Sequence, residues 1–483
     1  MATAATSRLS RPGLRRMLPG AAVIVGIAVL LRVLYDPWYL NYDARYALLW
    51  ARDGWRGFLP DFEADFAPTP HPLSTLVSSL GLPFGTGGDF VVVWIVLLSF
   101  GVLVWLTFRL GTVLFSPWVG GAAALAVLTR PVLDRDVLLA YQDVPFAALI
   151  VGAVLLEARQ RRRGLPVLVL LGLAGGLRPE AWMLAGLYVL WMLPAVPTWR
   201  RRLVLAGVAA VAPLVWTLMD WIVTGDPLHS LHGTAALAEE VDRRRRVDQV
   251  PYWGLKYFGF TLREPLIVAI PFGLLFAWRW RRAAAALPVA VAAAMTAVFA
   301  IGPIFGLPLI ARYIRTPAVL LTLFFGLALF GWMLLERDSR ERKVWLCVAV
   351  VCFGVFAAFL PQNVTMLDGL RLRSEREGGF YGDLRAAGES PRVRAAFDRC
   401  PSLTASDHRP MPYIRWWLGG DPGSVGTTEN GASPVGRLVL VPRRTFLARR
   451  FYKENFPAYA PPASYRRVYE NRTWRVFAAP GCA

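Results

Sequence analysis

Charge is scarce in this sequence: Asp, Glu, Lys and Arg make up 18% of the 483 residues, while 55% are hydrophobic and 19 are Trp. Soluble globular chains carry about a quarter charged residues, so the composition excludes that class and points to a polytopic membrane protein. No P-loop, dinucleotide glycine fingerprint or zinc-type Cys/His spacing is present, which leaves an ATP-driven pump and a Rossmann enzyme without support. No internal repeat is apparent either. A transporter or flippase of lipid-linked sugars, the main competing class, would be expected to show paired halves.

Among the charges that do occur, the formal balance is +20. The basic clusters alternate with apolar runs of membrane-spanning length, so the excess reads as a topology signal and nucleic acid is not an expected partner. The apolar runs occupy roughly 18–38, 88–108, 112–130, 144–158, 165–177, 181–196, 203–223, 264–279, 284–305, 313–335 and 343–361. Each is near the roughly 20 residues that a helix needs to cross hydrocarbon, though the fourth to sixth are short, which gives about eleven spans. The basic segment Arg8–Arg16 before the first run is expected to precede an uncleaved span rather than a signal peptide. With the N-terminus cytoplasmic, the clusters 159–163, 200–202, 279–282 and 336–343 fall on the cytoplasmic side. The polar stretches 39–86, 131–143 and 224–263 then fall outside, as does everything after Pro361.

The expected fold is an all-α polytopic membrane domain over 1–362 followed by a small extracytoplasmic α/β domain over 363–483. Gly436–Val441 and Tyr469–Phe477 are its strand-like stretches. Cys347 and Cys352 lie in the last apolar run, whereas Cys400 and Cys482 bracket most of the terminal domain and are expected to pair in an oxidising compartment.

Polar residues collect at the exterior ends of the spans. Apolar positions Ala44, Ala47, Leu48, Ala51, Trp55 and Phe58 recur at helical spacing with Arg45, Arg52 and Arg56 on another face, which predicts a helix in the membrane interface. Asp43 begins it, either as a functional carboxylate facing a wet cavity or as a helix cap. The same loop carries Asp61, Glu63, Asp65 and His71, and the second exterior loop ends at Asp143 before Pro145. Arg178 and Glu180 stand inside an apolar stretch and read as an ion pair or as groups facing a wet cavity. Arg312 and Arg315 open the tenth span, where a planar guanidinium suits an oxyanion. Arg243 and Arg244 begin a basic run in an exterior loop, which is either a solvated face or a contact with an anionic lipid or lipid-linked phosphate.

The order of these residues resembles the GT-C glycosyltransferases over about residues 15–360, most nearly the branch of protein O-mannosyltransferases and aminoarabinose transferases. It runs from an exterior-loop Asp43 through His71-Pro-Leu, Asp143-x-Pro, Arg178-Pro-Glu180 and Thr224-Gly-Asp-Pro227 to Arg312-Tyr. Two features depart from that branch: Asp43 is followed by Ala44 where protein O-mannosyltransferases carry an Asp-Glu pair, and the terminal domain has no named counterpart. The resemblance implies an inverting transfer of a mannose- or arabinose-type sugar from a polyprenyl-phosphate carrier to an envelope glycan, lipid or protein. Asp43 would be the base, with Arg312, and secondarily Arg315, Arg243 and Arg244, holding the carrier phosphate. Asp143, His71, Arg178 and Glu180 would contact substrate, or Asp43, Asp143 and His71 would hold a divalent cation, which some relatives use. A non-catalytic envelope assembly protein is the third reading.

Overall fold

A backbone in hydrocarbon must satisfy its own N–H and C=O groups, and the apolar runs accordingly form helices. The computed structural model describes residues 12–36, 38–453, 455–457 and 459–483; Arg8 and Arg11 of the first basic cluster lie outside them. Six described helical stretches are long and apolar enough to cross a membrane: Pro72–Leu114, Trp199–Thr224, Val247–Trp280, Arg282–Phe305, Ala311–Leu334 and Arg340–Gly388. A seventh is broken, with Pro131–Leu138 and Asp143–Arg159 meeting at 117°. Pro117–Leu128, Leu165–Leu177 and Glu180–Ala195 are apolar but only 10–17 residues long, below the roughly 20 that cover a bilayer, whereas the first apolar run lies in the 23-residue helix Pro12–Leu34. The eleven apolar runs are thus largely helical, but three of the described helices fall short of a full span by length alone.

Small residues bring the helices together. A Cβ on Gly273 would lie 1.7 Å from the Phe324 carbonyl oxygen, so the Val250–Trp280 and Arg315–Phe330 helices pack backbone to backbone there. Just upstream, Arg263 takes φ 64° and breaks the Val250–Trp280 helix. The break leaves the Leu262 carbonyl to accept from Arg130 at 2.9 Å, and Arg315 ties the same turn to the broken seventh span through Thr261 (2.6 Å) and Asp136 (2.8 Å).

The loop after the first apolar run contains the helix Tyr42–Trp55. Its polar face is covered by protein rather than left open as its amphipathic pattern suggests. Nearly its whole surface is buried, including Arg45, Arg52 and Asp53, because the C-terminal domain sits on it. Arg52 donates to the Trp416 and Gly420 carbonyls (3.2 and 2.7 Å), and Asp53 accepts from Arg415 at 2.6 Å. Arg45 donates to Asp89 at 2.6 Å and lies 5.2–5.7 Å from the rings of Tyr413, Trp416 and Trp417. Arg45 and Arg52, which patterned as a solvated face, are therefore fasteners. Asp61 accepts from Gly423 N at 3.0 Å and Asp65 from the Ser433 hydroxyl, so these loop acids grip the same domain.

The C-terminal domain is built on a five-stranded sheet in the order β2-β1-β3-β5-β4: β1 (Leu403–Ala405), β2 (Val425–Thr427), β3 (Leu438–Pro442), β4 (Arg466–Glu470) and β5 (Trp474–Ala478). β1 pairs in parallel with β2 and β3, whereas β5 runs antiparallel to β3 and β4. The stretch Tyr469–Phe477, which patterns as one strand, is a hairpin. Asn471 Oδ1 accepts from the backbone N–H of Thr473 (3.0 Å) and Trp474 (2.8 Å), and this Asx turn reverses the chain. The helix Leu360–Gly388 runs from the membrane bundle into this domain, where Phe380 stacks on Phe451 with centroids 3.8 Å apart.

A disulfide joins Cys400, after the helix Pro391–Arg399, to Cys482 near the chain end. It closes a loop of 82 residues, and cross-links over loops of that size stabilise by about 2–4 kcal/mol. Cys400→Ser/Cys482→Ser protein should unfold earlier on heating than the parent. Non-reducing peptide mapping of membrane-extracted parent should recover the cross-linked pair.

Candidate active site

Asn41 caps the Tyr42–Trp55 helix: its Oδ1 accepts from Ala44 N at 3.0 Å, while its Nδ2 donates to the Leu139 carbonyl at 2.7 Å. The cap is supplied by Asn41, so Asp43 is not held to that task. Its carboxylate lines a cavity and meets Arg312 at 2.8 Å. Arg312 comes from the single 3₁₀ turn Ala311–Ile314 that precedes the Arg315–Phe330 helix. Its guanidinium lies 4.8 Å from the Tyr141 ring centroid and 3.7 Å from Asp143 Oδ2.

Behind Arg312 the charges alternate. Asp143, buried at the bend of the broken span, accepts from Arg178, and Arg178 also donates to Glu180 at 2.6 Å. The sequence Asp43, Arg312, Asp143, Arg178, Glu180 is a chain of three carboxylates and two guanidinia drawn from four distant segments. Ionised groups at this depth are costly unless paired, and each member offsets its neighbour.

Burial raises the Asp43 carboxyl, but Arg312 beside it, helped by Arg243, outweighs burial and holds it below the ordinary Asp value. Burial has the opposite sign for the imidazole of His71, whose pKa is held down to about 3, so that ring is neutral at ordinary pH.

The cavity has a volume of about 820 Å³. Of the residues singled out in the sequence, Asp43, His71, Arg243 and Arg312 line it. Asp143, Arg178 and Glu180 lie behind its wall, tied to Arg312 and to one another. Two predicted phosphate ligands are elsewhere: Arg315 is buried against Asp136 and Thr261, and Arg244 stacks 3.9 Å from the Trp253 ring centroid. Asp226 of the Thr-Gly-Asp-Pro segment is a turn residue that accepts from Leu228 N at 2.9 Å. Asp43 and Asp143 both face guanidinia. Among the described residues the ligand atoms of Asp407, His408 and Glu429 do converge within 4.8 Å, but there Glu429 accepts from the backbone and ring of His408.

The C-terminal domain supplies much of the cavity wall, which sequence patterning did not foresee: Arg373, Arg376, Tyr381, His408, Arg409, Arg450 and Lys453 all line it. A signal was present in the spacing of Gly369, Arg373, Arg376 and Glu377, which share one face of a helix. Beside the cavity lies an apolar groove of about 750 Å³ among helices Gly88–Leu114, Asp143–Arg159 and Leu165–Leu177. The two spaces share a thin partition: Leu139 and Tyr141 face the cavity, and Ala140 and Gln142 face the groove.

Breaking a buried pair by removing one partner costs about 3–5 kcal/mol. Arg178→Met, which strands two carboxylates, should lower thermal stability by that order, whereas Arg243→Gln should leave the melting temperature unchanged.

No family model and no curated protein sequence matches this chain. Among solved structures it is similar to ArnT from Cupriavidus metallidurans bound to undecaprenyl phosphate, with 16% identity and a TM-score of 0.60 over 98% of this chain and 99% of that one. It is also similar to ArnT in the apo state, with 14% identity and a TM-score of 0.55 over 96% and 98% of the two chains. A match to the Archaeoglobus fulgidus oligosaccharyltransferase has 13% identity and a TM-score of 0.47 over 86% and 64%. The chain therefore shares the fold of ArnT over nearly its whole length.

Proposed function

We propose that this protein is a membrane glycosyltransferase that moves a sugar from a polyprenyl-phosphate carrier to an acceptor hydroxyl of the cell envelope, with inversion. The observation that carries the proposal is the Asp43–Arg312 pair, in the wall of a polar cavity that adjoins an apolar groove. An isoprenoid chain needs an apolar channel, its phosphate needs a fixed guanidinium, and an acceptor hydroxyl needs a carboxylate base. The partition at 139–142 places these three requirements side by side. Undecaprenyl phosphate in the ArnT structure of the same fold supports the carrier. The cavity and the disulfide-bearing domain are on one side of the molecule, which we take as extracytoplasmic, with the N-terminus in the cytoplasm.

The mechanism follows from sharing Arg312. Without donor, Arg312 is engaged by Asp43. The carrier phosphodiester, entering with its tail in the groove, takes over the guanidinium fork, with Arg243 as a second cation. Asp43 loses its partner, becomes more basic, and accepts the proton of the acceptor hydroxyl as the oxygen attacks the anomeric carbon. The bond from that carbon to the phosphate oxygen breaks, and the charge gathering on the departing phosphate is stabilised by Arg312. His71, neutral and in the cavity wall, orients sugar or acceptor by hydrogen bonding.

Asp43→Asn should abolish transfer yet tighten binding of undecaprenyl phosphate, because Arg312 no longer has an internal competitor. Arg312→Lys should weaken that binding by about tenfold or more (~1.4 kcal/mol). Isothermal titration in nanodiscs checks both. For pH, kcat/KM reports the free enzyme and kcat the donor-bound form. Because Arg312 lowers the Asp43 carboxyl only in the free form, the acid limb of kcat/KM should fall below the ordinary Asp value of about 3.9. The acid limb of kcat should lie at higher pH. In the groove, Leu149→Trp should raise KM for a C55 carrier by about tenfold (~1.4 kcal/mol) and leave a two-isoprene analogue nearly unaffected.

A further inference from the structure

The cavity holds more positive charge than one carrier phosphate can use. Its wall contains seven arginines and one lysine against two acids, Asp43 and Glu377. Both acids are already committed, Asp43 to Arg312 and Glu377 to Arg373. A phosphodiester-linked sugar brings one further negative charge, which the proposed function assigns to Arg312 and Arg243. Arg376, Arg450 and Lys453 have no carboxylate within 4.0 Å among the described residues. They come from two helices of the C-terminal domain, Leu360–Gly388 and Phe446–Tyr452, and from the residue after the second. Like charges gathered along one wall repel, and they focus a positive potential into the space they enclose.

The positive charge also leads outward. Arg450 lines both the cavity and a second depression formed with Arg444, Phe446 and Arg449 on the domain surface. Phe451 in the cavity and the exposed Phe446 lie among these cations. Alternating guanidinia and aromatic faces fit a chain that alternates anionic groups with sugar rings. The track lies on the sheet domain and contains no residue of the apolar groove, which favours a polymer over a bilayer headgroup.

We infer that the acceptor is an anionic glycan carrying phosphodiester or carboxylate groups, held along Arg376, Arg450 and Lys453 and running out over the Phe446–Tyr452 helix. The inference rests on the transferase reading, since it takes the bound chain to be the acceptor. Three cations on one track give weak, salt-sensitive attraction at each contact, suited to a polymer that slides on to its next hydroxyl.

The test uses the full-length protein in neutral-lipid nanodiscs, with linear polyphosphate of about fifteen units as the anionic probe and undecaprenyl phosphate as the carrier probe. Polyphosphate should bind the parent protein, and the triple variant Arg376→Gln/Arg450→Gln/Lys453→Gln should lose at least tenfold in affinity. The slope of log affinity against log salt should flatten by roughly 2, from about 0.7 per lost contact. Affinity for undecaprenyl phosphate should be unchanged. Equal polyphosphate binding by parent and variant would overturn the anionic track while leaving the transferase reading intact. Capture only by phosphatidylglycerol vesicles, with no polyphosphate binding, would also overturn it, assigning the cations to a lipid surface. Loss of undecaprenyl phosphate binding in the parent itself would instead overturn the transferase reading.

Discussion

The ion pair between Asp43 and Arg312 is the constraint around which the membrane edge of this protein is arranged. A carboxylate and a guanidinium taken out of bulk water are tolerable only while each has a partner. Here the two side chains come from segments 269 residues apart in the chain. Holding them together requires the bend of the broken span at Asp143, the cap at Asn41 that leaves Asp43 unoccupied, and the 3₁₀ turn that presents Arg312. The Arg178–Glu180 pair closes the chain of charges from behind, so the whole row is fixed except at its cavity end.

That open end is what makes the pair chemically useful. A charge partnered by the protein at rest is available to a ligand of the same sign that can displace the internal partner. In the proposed mechanism phosphate and carboxylate compete for one guanidinium, so the base is freed only when the leaving group is in place. In that mechanism the apolar groove contributes the selectivity that a lone phosphate site lacks, because only an isoprenoid-linked phosphate would fill both spaces at once.

How far the sequence revealed this depended on the range of the interactions. Local signals were legible: apolar runs became helices, the Tyr42–Trp55 helix lies where its spacing placed it, and Asp43 and Arg312 stood out as polar residues at span ends. What patterning misjudged were faces whose partner lies far along the chain. Arg45 and Arg52 looked solvated because the residues that cover them, from Trp416 to Gly420, are more than 360 positions away. Arg315 shared its exterior-end position with Arg312, yet one helical step turned it into the bundle against Asp136. The cationic wall of the C-terminal domain was only partly visible: the spacing of Gly369, Arg373, Arg376 and Glu377 marks one helix face, but nothing local reports that this face will roof a cavity built by distant spans. In Tyr469–Phe477 the alternating pattern outweighed the turn chemistry of Asn471.

The central claim is that carrier phosphate and Asp43 exchange places on Arg312. Cryo-electron microscopy of the full-length protein in nanodiscs with undecaprenyl phosphate tests it most directly. The account predicts the isoprenoid chain in the groove, the phosphate within hydrogen-bond distance of Arg312, and the Asp43 carboxylate turned away toward open cavity. A phosphate bound at another site, with the Asp43–Arg312 contact still closed, would contradict it.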